Sequence, residues 1–157
     1  MEQDIDAEAT GSSVEVMAIR YGLYTTAGLI AYFLLMKLFG LVHVVELRAL
    51  NLFVLLAGLI LALRAFKRQE GTIEYLQGIG LGLMTSAIGV VAFSLFVFIY
   101  LQMDPVLMQA IVEKESFGEF LNPYILSFVV ALEGTASGFI ATFVIMQYLK
   151  RSHLSNQ

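Results

Sequence analysis

The chain has 157 residues, of which 59% are hydrophobic and 14% charged, with a mean hydropathy of +0.81; a soluble domain carries roughly a quarter charged residues. A net charge of −4 and the absence of cysteine exclude a basic nucleic-acid binder and a disulfide scaffold, and the apolar content excludes a disordered chain. What remains is an all-α integral membrane protein.

The N-terminal stretch MEQDIDAEATGSSVEV is acidic and rich in small residues, without the basic start and short apolar core of a secretory signal. Residues 1–19 therefore read as a disordered acidic tail, followed by a transmembrane domain over 20–151 and a second short tail over 152–157. A membrane helix needs about 20 mainly apolar residues, and the pattern predicts four, at 21–42, 48–66, 78–103 and 124–149.

Lys37 interrupts the first span near its distal end. Its flexible stem suits snorkelling to the headgroups, and pairing with the acid of the fourth span is the other reading. The short loop after this span holds His43, Glu46 and Arg48, which are too few ligands to define a metal site. The third span carries a face of small residues, Gly78, Gly82, Thr85 and Gly89. Its GIGLG segment lies inside an apolar helix, with no preceding strand and no suitably placed lysine, so it is not a phosphate loop.

Asp104-Pro105 is a helix-start signal, with Asp as cap and Pro preset for the first helical position. The segment that follows places Leu107, Met108, Ile111 and Val112 on one side, which predicts a short interfacial helix between spans three and four. Gly118 ends it, and Asn122-Pro123 caps the fourth span.

Glu133 lies near the middle of the fourth span. An acid at that depth is costly and marks a candidate ion or packing site. At 100° per residue, Ser127, Val130, Glu133, Gly134, Ser137, Gly138 and Ala141 share one face, which is expected to pack, while Phe128, Leu132, Phe139 and Phe143 meet lipid. Gly134, Gly138 and Ala141 form a small surface of the kind that lets helix backbones approach, within one bundle or between protomers. Gly78, Gly82 and Gly89 play the same part on the third span.

Basic residues set the orientation. Arg20, Arg64, Lys67, Arg68, Lys150 and Arg151 fall on the side of the termini, with Arg48 and Lys114 on the other, which places both termini in the cytoplasm. No nucleophile elbow, triad or metal motif occurs, so no catalytic residue, cofactor or metal is expected.

RYGL opening the first span, RAFKRQEG closing the second, and LQGIGLGL leading to Asp104-Pro105 together resemble a bacterial four-helix membrane family catalogued as domain of unknown function 4199. The resemblance spans Arg20 to Lys150; TIEYLQ after Gly71 departs from the aromatic-Gly stretch more usual in the family. It implies a multi-pass protein of the bacterial inner membrane, and no activity. The leading expectation is a structural or accessory component in the lipid bilayer. It would pack with itself, as a homo-oligomer, or with another membrane protein, and not with nucleic acid. The alternative is a small transporter or channel subunit with Glu133, Ser137 and Lys37 as intramembrane polar sites.

Overall fold

A computed structural model describes residues 2–41, 50–71, 73–114 and 117–154, with side chains from Ser13 to Leu149. The described residues form helices α1 (Glu2–Leu38), α2 (Leu50–Glu70), α3 (Tyr75–Met103), α4 (Pro105–Lys114) and α5 (Pro123–Leu154), with a 3-10 turn at Gly118–Phe120. Four of these are long and apolar enough to cross a membrane: α1 from Ser13, α2, α3 and α5 as far as Leu149. The short α4 lies between the third and fourth of them.

Helix α2 runs to Glu70 rather than to residue 66 and α3 starts at Tyr75 rather than Gly78, and three further boundaries differ from those the sequence suggests. The expected disordered tail is helical from Glu2. Acids at the first turns oppose the positive end of the helix dipole, and extending a helix already nucleated by a span costs little. Burial begins before Tyr21: Val14, Met17 and the fully buried Ala18 pack with Leu63, Phe66, Leu81 and Met146. At its other end α1 stops at Leu38 rather than Val42, because Gly40 adopts a left-handed φ of 68°. The amide of Leu41 then donates to the carbonyl of Met36, and that of Gly40 to Lys37, at 2.9 Å each. This is a Schellman closure, which satisfies the last carbonyls of the helix. The third difference is at the C-terminus, where the expected tail is helical to Leu154.

The two helix starts read from Asp104 and Asn122 are both present. Asp104 Oδ1 accepts from the Leu107 amide at 3.0 Å, and Asn122 Oδ1 from the Ile125 amide at 2.9 Å. Ile111 is buried, and Leu107 and Met108 are packed against Phe93, Val97, Leu101 and Leu126. Gly118 cannot carry a side chain, because a Cβ there would run into the carbonyl of Val112.

Helix α3 is the hub. Of its most apolar window 44% is buried, against 17% for α5. Apolar side chains gain little by leaving lipid for protein, so membrane helices hold together by close van der Waals contact and interhelical hydrogen bonds. Along α3 and α5 the contacts step by one turn at a time. Gly78 lies against Met146, Gly82 against Thr142, Ser86 against Gly138, and Val90 against Gly134. Each rung sets a glycine against a larger side chain, with α3 supplying the glycine at the end that carries the termini and α5 supplying it further along. One rung higher, the Ser94 hydroxyl donates to the Ser127 carbonyl at 2.7 Å.

The opposite flank of α3 receives α1. Thr25 is wedged between Gly58 of α2 and Gly89 of α3, and Gly22 lies against Ile88. The Thr26 hydroxyl donates to the carbonyl of Gly22 at 2.9 Å and approaches that of Gly89 at 3.4 Å. The small face read on α3 thus serves two neighbours, with Gly78 and Gly82 toward α5 and Gly89 toward α1.

Gly82 and Gly80 offer a matched test. A Cβ on Gly82 would stand 2.5 Å from Thr142 Cγ2, whereas one on Gly80 meets nothing within 4 Å. Thr142 is fully buried and its hydroxyl is bonded to the Gly138 carbonyl, so it has little room to yield. Gly82→Ala should destabilise the bundle by about 1–3 kcal/mol. Gly80→Ala should be neutral or stabilising by up to about 1 kcal/mol, since it removes a helical glycine without a clash. Thermal unfolding of both variants in lipid nanodiscs checks the pair, and equal effects would contradict the seam.

Candidate functional site

Two features stand out against an otherwise apolar bundle: a polar latch at the end distant from the termini, and an acid on the outer face of α5.

The latch begins with Lys37 in the last turn of α1. Spans α1 and α3 run in the same direction, so the end of α1 meets the end of α3. Lys37 Nζ donates to Asp104 Oδ2 at 2.5 Å and to the Tyr100 hydroxyl, and lies 4.6 Å from the centroid of the Tyr100 ring. Phe33 and Phe96 pack edge-on and tilted against that ring at 5.2 and 5.6 Å, which fixes its position. Asp104 therefore does two jobs at once: Oδ2 takes the ammonium from α1, and Oδ1 caps α4. One carboxylate ties three helices together.

This corrects the alternative that paired Lys37 with Glu133. Lys37 and Asp104 stand at one level, within side-chain reach, whereas Glu133 lies deeper on a helix that packs chiefly on the other flank of α3. A cleft of about 280 Å³ borders the latch, lined by Lys37, Gly40, Asp104 and the α4 residues Val106, Leu107, Ala110 and Ile111.

The second feature is Glu133. Ten residues below Pro123, it lies about 15 Å from the start of α5, half-way through a hydrocarbon core of roughly 30 Å. Of the face expected to pack, Ser127, Gly138 and Ala141 are buried and Val130, Gly134 and Ser137 are half-buried, but Glu133 is exposed. It falls at the margin of the buried arc, on the same stripe as exposed Val129, Ala136 and Ile140. No cation or hydrogen-bond donor among the described residues reaches it; the described ion pair of the spans is Lys37–Asp104. A charge at this depth costs about 3 kcal/mol on insertion scales.

Leu55 on α2 lies 3.7 Å from where a Cβ of Gly138 would be, so one turn further along Asn51 stands at the level of Gly134. The Asn51 side-chain oxygen is buried and has no donor among the described residues. Neither Asn51 nor the Lys37–Tyr100–Asp104 grouping was singled out in the sequence. The signal for the second lay in the shared direction of spans one and three, which brings Lys37 to Asp104-Pro105. The loop with His43, Glu46 and Arg48 lies outside the described residues.

The Asp104 carboxyl is held below the ordinary aspartate range, first by the hydrogen bond from Lys37 and then by the Leu107 amide. Its contribution to stability is complete above the unfolded pKa of about 3.9 and is lost as pH falls through the lowered folded value. Asp104→Asn should therefore lower the melting temperature by a constant amount between about pH 5 and 8, and the gap to wild type should narrow near pH 3. A gap that persists unchanged in acid would contradict the assignment.

With this geometry in view, the comparisons with known proteins are brief. Neither a curated protein nor a solved structure matches the chain. A family model described as protein of unknown function (DUF4199) matches residues 20–151, which takes in the first span from Arg20, the other three whole, the latch and Glu133. The chain belongs to that family.

Proposed function

We propose that the protein is a non-catalytic accessory component of a bacterial inner membrane, with both termini in the cytoplasm, and that it works by lateral packing of α5 against another membrane protein or another copy of itself. The observation that carries this reading is Glu133, an exposed acid at mid-membrane on the least buried span. Acids at this depth characteristically face protein or a water-filled cavity, so its exposed stripe is the place where an intramembrane partner is missing.

The bundle interior favours packing over conduction. Among the described residues, the buried polar ones are serines and threonines, beside the buried side-chain oxygen of half-buried Asn51. The hydroxyls of Thr25, Thr26, Ser86, Ser94, Ser127 and Thr142 donate to backbone carbonyls. These six hydroxyls are satisfied locally instead of lining a path for water or ions, and the seventh, on fully buried Thr85, has no partner among the described residues. Glu133 points away from this interior, which leaves the transporter reading without an observation in its favour. Orientation rests on the basic residues, with Lys67 and Arg68 closing α2 at the end that carries the termini.

The absence of native cysteine makes the test direct. Single cysteines at Glu133, Ser137, Lys37 and Phe117 would be treated with a membrane-impermeant thiol reagent on intact cells. Phe117, exposed between α4 and α5, should label from outside and Lys37 at the latch to a lesser degree; Glu133 and Ser137 should be protected. Labelling at Glu133 and Ser137 would reveal a water-filled path and overturn the packing reading, and protection of Phe117 until the cells are opened would reverse the orientation.

A further inference from the structure

We infer that the α5 face around Glu133 is the docking site for a transmembrane helix of a different protein that carries a lysine or arginine near the middle of its span. The inference rests on the accessory reading above and names the chemistry of the partner.

Charge complementarity selects this occupant. Glu133 is an exposed acceptor at mid-membrane with no donor among the described residues in reach. What the site lacks is a donor, and preferably a cation. A second copy of the chain does not bring one. The basic side chains of its described spans stand at other depths: Lys37 on Asp104 and Tyr100 at the distal end, and Arg20, exposed Arg64, Lys67 and Arg68 toward the end that carries the termini, where Leu63 packs with Ala18 and Met146. In a symmetric pair of copies docked through this stripe, Glu133 would face its own counterpart, acid against acid. A foreign helix with one central basic residue supplies the opposite charge at the right depth, the arrangement in which intramembrane charges are normally found.

The shape of the face agrees. Around the turn below Glu133 the side chains shrink to Ala136 and Ser137, while Leu132 and Ile140 beside them are 62% and 65% exposed. Small residues flanked by bulky ones make a shallow notch. A long basic side chain can lie along it toward the carboxylate while the partner's backbone approaches at Ala136.

The test uses the full-length protein in its native membrane. A photo-crosslinking residue is placed in turn at Val129, Ala136 and Ile140, all exposed on this stripe, and the crosslinked peptide is sequenced by mass spectrometry. The expected product is a transmembrane segment of another protein with Lys or Arg within one helical turn of the attachment point. Its yield should fall about tenfold in Glu133→Leu and less in Glu133→Gln, which keeps a hydrogen-bonding group. Retained melting temperature in both variants would exclude misfolding as the cause. A partner segment without a basic residue would overturn the charge assignment while leaving the accessory reading in place. A peptide of this chain itself would establish self-association and overturn the proposal, and adducts with lipid alone would overturn both readings.

Discussion

Close backbone contact along α3 is the constraint on which the rest of the structure depends. In hydrocarbon a buried leucine is no better hidden from solvent than an exposed one, so the helices are held by how near they can come. Four successive rungs between α3 and α5 set a glycine against a larger side chain, and Thr25 of α1 occupies the double recess formed by Gly58 and Gly89. With α1 and α5 seated on opposite flanks of α3, one face of α5 is used up and the other is left outward. The position of Glu133 is a consequence of that seating, because the register that sets Gly134 and Gly138 against Val90 and Ser86 turns Glu133 to the margin.

The two intramembrane charges consequently have different fates. Lys37 ends its helix beside Tyr100 and Asp104, where the ammonium is balanced, bonded and in the last turn, a favourable place for a cation on a helix dipole. It serves as a fastening that also sets the start of α4. Glu133 has no such company within the chain. One charge completes the fold, and the other directs attention outside it.

Much of this was legible from residues alone. Four spans, the caps at Asp104 and Asn122, and the small faces of spans three and four follow from local pattern, because apolar length, Asp-Pro and Asn-Pro steps and helical spacing act over a few residues. The end of α1 at Gly40 was missed because an apolar run continues beyond it, and only the left-handed φ of a glycine stops the helix there. The pairing of Lys37 with Asp104 joins residues 67 positions apart and depends on the parallel course of α1 and α3, which periodicity does not report. The same limit applies to Glu133. Helical spacing puts it on the face expected to pack, but which edge of that face is covered is decided by the neighbouring helices, and they leave Glu133 exposed.

The central claim, that a size-matched seam on α3 organises the bundle, is tested most directly by a double-mutant cycle at one rung. Gly82→Ala, Thr142→Ala and their combination would be compared for unfolding free energy in lipid nanodiscs. Thr142→Ala removes the two atoms nearest to a Cβ at position 82, so the double variant should recover most of the stability lost in Gly82→Ala, with a coupling energy of about 1 kcal/mol or more. Additive losses, with no recovery, would contradict the seam.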